Sequence, residues 1–192
     1  MIADGFGAGG GEIAAVLRGG RYAGTIFQHR HWLQQVLDAI SEAPAWICNG
    51  RYDVLAVNHL ARALFSPVLA GPRRPANTAR FVYLDPEAAA EFFVDYHQIS
   101  RDVAAKLRME AGRHPHDEEL IALVGELSTC SELFRQRWAS QDVRLHRSGR
   151  KRINHPVVGR LDLDVESLEL PDEPGGDPDW PSLLGKRAQL QL

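Results

Sequence analysis

From Trp32 onward, apolar residues recur close to every 3.6 positions: Leu33, Val36, Leu37 and Ile40 share one helical face, and Pro44 forces a stop soon after. The pattern then shifts to short strands. Asn49-Gly50 offers the positive φ angles of a type I′ turn between Ala45 to Cys48 and Arg51 to Val57. Asn58 follows at once, placed to cap a helix whose inner face is Leu60, Ala61, Leu64 and Phe65 and which Pro67 ends. After a Pro/Gly/Arg loop (Pro67 to Asn77), Asp85-Pro86 joins a cap to a proline at the first helical position. Phe92, Tyr96, Ile99, Val103 and Leu107, with Phe93 beside them, then read as one long helical stripe closed by Gly112 and Pro115. Asp117-Glu118-Glu119 places three acids at the next helix start, and Leu120, Leu123, Val124 and Leu127 form its apolar face. Ser131 caps a further turn or two carrying Leu133, Phe134 and Trp138.

The period then becomes two. Val143 and Leu145 alternate with Arg144 and His146, Ser148-Gly149 supplies a turn, and Leu161, Leu163 and Val165 alternate with Asp162, Asp164 and Glu166. PDEPGGDPDWP, from Pro171, is turn-rich, and the final RAQLQL reads as a weak strand at most. The order helix, two strands, several helices, two or three strands predicts an α+β fold in which a small antiparallel sheet packs against a helical layer. Three segments follow: a glycine-rich leader over 1–31, expected to be poorly ordered, a domain over 32–170, and a tail over 171–192.

Composition changes this picture little. Of the 192 residues, 44% are hydrophobic and 24% charged, as in an ordinary globular domain, and the formal net charge of -3 argues against a generally nucleic-acid-coated surface. The two cysteines, Cys48 and Cys130, are too few for a disulfide framework or a zinc knuckle and fit a reducing compartment. No apolar run approaches the roughly 20 residues needed to span a bilayer, and no secretory signal pattern opens the chain, so a cytoplasmic location with no membrane partner is expected.

Candidate chemistry is sparse. His29-Arg30-His31 and His114-Pro115-His116 each offer two metal ligands, but neither has Cys or Glu in ligand register, so no metal site is expected. Asp162, Asp164 and Glu166, two apart on one strand, all point to one face, which is the pattern of a solvated acidic edge. The basic run RLHRSGRKR (Arg144 to Arg152) lacks the interleaved aromatics of a single-strand binder and reads as the outer edge of a hairpin, with Asp162 and Asp164 as cross-strand partners. Nothing matches a phosphate loop or a nucleophile elbow, so no catalytic residue is assigned. Phe81, Phe92, Phe93, Phe134 and Trp138 read as core by default, although Asn58, Arg80, Arg135 and His155 occur at the ends of the same elements.

The series PAWICNGRYDVLAVNHLARALF, NTARFVYLDPE, VAAKLRMEAGRHPHDEELIALVGELSTCSELFRQRWASQDV and HPVVGRLDLDVESLEL closely resembles the MmyB-like ligand-binding domain of bacterial XRE-type transcription regulators, over about Trp32 to Leu170. The resemblance implies a PAS-like fold and a small lipid-like ligand such as a fatty acid, with no cofactor. It also implies an N-terminal helix-turn-helix that reads DNA. Residues 1–31 are too few and too glycine-rich for that unit, so this chain is expected to reach DNA only through a helix-turn-helix it does not contain. In PAS-like sheets the last strand is central, so RAQLQL must either supply it or leave the domain incomplete.

On this reading an acyl chain lies between the sheet and the long helix, against Phe92, Tyr96, Leu107, Phe134 and Trp138, with Phe81 beside them. Family motif makes Arg80, Arg135 or His155 the partners of a carboxylate head, and gives Asn58 a place at the pocket wall besides its role as cap. Three readings stay open: a ligand-sensing regulatory domain, a non-binding or dimerising remnant of such a regulator, and a small-molecule enzyme using His155 and Asp162. A homodimer is compatible with the first two.

Overall fold

In the computed structural model, residues 34–140, 148–170 and 188–191 are described. The expectations for the leader, for Trp32 and Leu33, for a strand at Val143 to Leu145 and for residues 171–187 lie outside them. The chain is α+β, with an antiparallel sheet packed against helices, as its sequence order requires. The strands are β1 (Trp46–Asn49), β2 (Val54–Val57), β3 (Ser148–His155), β4 (Gly159–Leu170) and β5 (Ala188–Gln191). They lie in the order β2-β1-β5-β4-β3 with every pairing antiparallel. β5, from the weak RAQLQL pattern, sits at the centre and gives both β1 and β4 a ladder partner.

Between β2 and β3 come α1 (His59–Leu64), α2 (Ser66–Leu69), α3 (Thr78–Leu84), α4 (Pro86–Phe92), α5 (Tyr96–Arg113), α6 (Glu118–Cys130) and α7 (Glu132–Ala139). Polar side chains start them where the sequence places caps. The Oδ1 of Asn58 accepts the Ala61 N–H at 2.8 Å, Asp117 accepts that of Leu120 at 3.0 Å, and Ser131 accepts that of Phe134 at 3.2 Å.

Four local expectations are corrected. The positive φ of the first hairpin falls on Tyr52 (φ 67°) and not on Asn49-Gly50: the Tyr52 N–H closes on the Asn49 carbonyl at 3.0 Å, a type I turn followed by one left-handed residue. Gly50 leaves room for α5, since a Cβ there would meet the carboxylate end of the Glu110 side chain at 2.8 Å. Pro67 does not end the helical run but lies in the first turn of α2, where its missing N–H costs nothing. Thr78 to Leu84, given no element by the sequence pattern, is also a helix, capped by Asn77, which accepts the Arg80 N–H at 2.9 Å.

The stripe from Asp85 to Leu107 is two helices. Phe93 pairs with Ile153 as an isolated bridge and the Val94 N–H donates to the Arg152 carbonyl at 3.1 Å, so the sheet edge captures the backbone between α4 and α5. Finally, Ser148-Gly149 is strand: β3 runs through it, and the hairpin turns near Gly159 (φ 77°). The cross-strand pairing expected for the basic run holds, with Arg150 opposite Asp164 and Arg152 opposite Asp162.

The apolar core lies inside the helical layer. Leu107, Leu127 and Phe134 are 0% exposed, with Leu120 and Leu123 at 2%. Phe134 stands edge-on to Tyr83 at 4.9 Å and stacks on Trp138 at 5.3 Å. One face of α5 is spent on this core, and its other face turns toward the sheet.

Candidate functional site

That second face bounds a cavity of about 1160 Å³. The alternation of the strands explains its sheet wall: Trp46, Cys48, Val54, Val57, Leu163, Val165, Lys151 and Ile153 fall on one face through the paired registers, and all of them line the space. Helical periodicity supplies the opposite wall, where Tyr96, Ile99, Val103 and Lys106 follow one another along α5. Phe65, Val68 and Leu69 close it from α1 and α2. Trp46 and Phe65 touch, with ring centroids 4.4 Å apart, and with Val57 and Leu69 they make an apolar end.

Beside it lies a polar cluster. The Lys106 Nζ stands 4.5 Å over the Tyr52 ring, and the electrostatic fields of Lys106, Lys151, Cys48 and Asp102 overlap. Burial pushes the Lys151 ammonium below the ordinary lysine range, and neighbouring Lys106 pushes the same way. Burial likewise drives the Cys48 thiol up and the Tyr52 phenol well up, so both are neutral near pH 7. Arg152 pairs with Asp95, and Arg150, on the outer face of β3, with Asp164; on the inner side Arg101, Lys106 and Lys151 stand against Asp102 in a chain whose formal net charge is -3. The cavity is thus locally positive on an acidic molecule.

A buried polar knot holds Tyr52 in its left-handed conformation, which costs a bulky side chain on the order of 1–3 kcal/mol. Asn49 accepts the Arg51 and Asp53 N–H groups at 3.0 and 2.9 Å. The Asn77 amide donates to Asp53 at 2.8 Å and to the Arg51 carbonyl at 2.9 Å. Arg51 reaches Asp117 at the start of α6 at 3.0 Å and also pairs with Glu119. Although burial pushes the Asp117 carboxyl up, the Leu120 N–H and Arg51 outweigh it and hold it below the usual carboxylate range. The turn is thereby tied to α3 and α6, and the Tyr52 ring is fixed in the cavity wall.

Of the ten residues singled out from sequence, Tyr96 lines this cavity and the others do not. Phe92, Leu107 and Phe134 are buried in the packed core, with Phe81 and Trp138 half-buried against it. Arg80 donates to Glu126 at 2.8 Å, joining α3 to α6. Arg135 is exposed and donates to the Ser128 carbonyl at 2.7 Å, closing the C-terminus of α6. Asn58 is fully buried with its side chain saturated: Oδ1 serves the Ala45 and Ala61 N–H groups, and Nδ2 donates to the Ile40 and Ala43 carbonyls, both at 2.8 Å.

His155 accepts the Val157 and Val158 N–H groups on Nδ1 at 3.2 and 3.3 Å, so its proton is on Nε2, directed at the Ala63 carbonyl 3.0 Å away. Its ring pins the β3–β4 turn to α1. Asp162 points to the opposite face of the hairpin, in register with Arg152, so His155 and Asp162 cannot converge on one reacting atom. Among the described residues no group of three or more His, Cys, Asp or Glu is arranged to hold a metal ion.

Lys106 and Lys151 are the charged residues of the polar cluster, among the lining residues that sequence reading missed. Lys106 interrupts an apolar helical face three residues after Val103, which is a legible signal. Lys151 alternates with Ile153 on an inward strand face, but assigning a turn to Ser148-Gly149 hid that alternation.

A small sheet and a helical layer enclosing a mixed apolar and cationic hollow have the form of a small-molecule-binding module. The model of the MmyB-like transcription regulator ligand binding domain matches residues 30–176, more than half of the chain, and the chain belongs to that family. It is a regulatory ligand-binding domain. No curated protein matches it. No helix among the described residues is long and apolar enough to cross a membrane.

Proposed function

We propose that this domain senses a fatty-acid-like amphiphile, held between the sheet and α5, for a cytoplasmic XRE-type regulator whose helix-turn-helix contacts DNA. The observation that carries the reading is the cavity itself, which at about 1160 Å³ lies just above the range that encloses a drug-sized molecule. Its lining follows α5 from Tyr96 to Met109, about 20 Å at the helical rise per residue, which suits an extended acyl chain. Each buried methylene contributes about 0.8 kcal/mol, so a dozen give roughly 10 kcal/mol before the costs of ordering and association, enough for micromolar binding. The central β5 and the strand order support a PAS-like arrangement, in which the helical layer is the part free to respond to occupancy. Occupancy alters regulation only if two arrangements of that layer bind the ligand with different affinity.

The test is thermal unfolding with saturated fatty acids from octanoate to palmitate. Ligand at a hundred times its Kd stabilises by about 2.7 kcal/mol, which for a domain of this size is a rise of roughly 5–10 °C. The rise should grow with chain length until the cavity is filled. A midpoint that stays constant across the whole series would overturn the sensor reading in favour of a non-binding or dimerising remnant.

A further inference from the structure

We propose that Lys151, on the inner face of β3 beside Lys106, receives the acidic end of the ligand, so that the cavity selects monoanionic amphiphiles of the carboxylate class. The inference rests on the sensor reading above and adds to it the polarity, the orientation and the anchoring residue of the guest.

Three observations lead there. First, the sign of the lining disfavours a cationic guest, with Arg101, Lys106 and Lys151 against Asp102 in a chain of net charge -3. Second, the other basic groups of β3 are already engaged. Arg152 donates to Asp95 at 2.8 Å, and Arg150 lies 3.4 Å from Asp164. Lys151 lies between them in sequence, its side chain turned to the inner face by strand alternation, and it forms no ion pair with a described residue. Third, Lys151 is placed where its charge is costly. Burial opposes its protonation, Lys106 adds to that opposition, and Asp102 offsets it in part. A carboxylate arriving within the cluster reverses that balance, because it brings an opposite charge to a partly desolvated ammonium. The apolar end formed by Trp46, Val57, Phe65 and Leu69 then takes the tail.

The chain-matched probes dodecanoate, dodecanol and dodecylamine separate charge from length. Their dissociation constants are measured by calorimetry on the full chain and on Lys151→Met, Lys151→Arg and Lys106→Met. The parent is expected to bind dodecanoate at least tenfold more tightly than dodecanol, and dodecylamine least. Lys151→Met is expected to weaken dodecanoate on the order of tenfold while leaving dodecanol unchanged, and Lys151→Arg to restore part of the loss. Because the substitution removes a poorly solvated charge, the ligand-free melting midpoint of Lys151→Met should be no lower than the parent's, which excludes a failure to fold.

If the parent binds all three probes alike, or Lys151→Met binds dodecanoate as the parent does, the head-group assignment fails and the sensor reading survives. The same holds if Lys106→Met alone abolishes the preference, or if Lys151→Met weakens acid and alcohol equally. If the parent binds none of the probes, both fail together.

Discussion

Asn58→Ala is expected to cost about 4 kcal/mol, because one small side chain satisfies four backbone groups at a site with no solvent access. Its Oδ1 serves the N–H groups of Ala45 and Ala61 at 3.1 and 2.8 Å, and its Nδ2 serves the carbonyls of Ile40 and Ala43. Losing a helix cap alone costs about 1 kcal/mol. Each buried group left without a partner adds on the order of 1–3 kcal/mol, partly relieved by local relaxation. In a protein of this size such a loss lowers the melting midpoint by about 10 °C. Asn58→Asp separates the two halves of the role, since it keeps the acceptor for Ala45 and Ala61 but presents a carboxylate to two carbonyl oxygens. It should be no more stable than the alanine variant. A loss below about 1 kcal/mol in Asn58→Ala, measured by urea unfolding, would contradict this role. The asparagine also explains why a hairpin passes into α1 without a connecting loop: the same side chain closes the preceding loop, β1 and the helix start at one point.

The second large effect concerns the cavity. Val57 is 7% exposed on the inner face of β2 and lines the hollow. Val57→Trp extends an indole into space that side chains do not fill, so it should cost the fold less than the 1–3 kcal/mol usual for overpacking a tight core. The loss of ligand should be much larger. With the apolar end occupied, dodecanoate affinity is expected to fall by about a hundredfold or more, and the ligand-induced rise in melting midpoint should disappear. Calorimetric titration of the variant checks this, and an unchanged affinity would place the binding site elsewhere. Phe134→Ala makes the opposite comparison. It opens a void in the packed core at a cost of about 3–5 kcal/mol without touching the cavity lining.

How far the sequence reaches is visible in particular residues. Caps were legible because their chemistry is local: Asn58, Asp85, Asp117 and Ser131 each accept an N–H three residues on, and the chain shows that spacing directly. The solvated acidic edge of β4 and its basic partners on β3 were legible from period-two alternation. What failed was decided by contacts distant in sequence. No glycine or proline marks the break between α4 and α5; the edge of β3 imposes it through Phe93 and Val94. Gly50 looked like a turn glycine, yet its smallness accommodates Glu110, sixty positions away. The lining of the cavity was read differently for a related reason. Aromatic residues at helical spacing identify burial, but they do not say whether the buried face meets other side chains or an open space. Phe134 and Leu107 meet side chains; Ile99, Val103 and Lys106, on the sheet-facing side of α5, bound the cavity. The polar end was legible in part, since a lysine inside an apolar helical face is a signal that needs no structure to see.

Trp46, one ring of the cavity wall and 9% exposed, offers the most direct test that a guest occupies the space between sheet and helices. A dodecanoate carrying bromine at its tail end quenches indole emission on contact, and it can be titrated into the parent and into Trp46→Phe. The expected result is saturable quenching in the parent, over the concentrations that raise its melting midpoint, with that component missing from Trp46→Phe. Equal quenching in the two proteins, or undiminished Trp46 emission at saturation, would mean that the chain binds its ligand somewhere else or not at all.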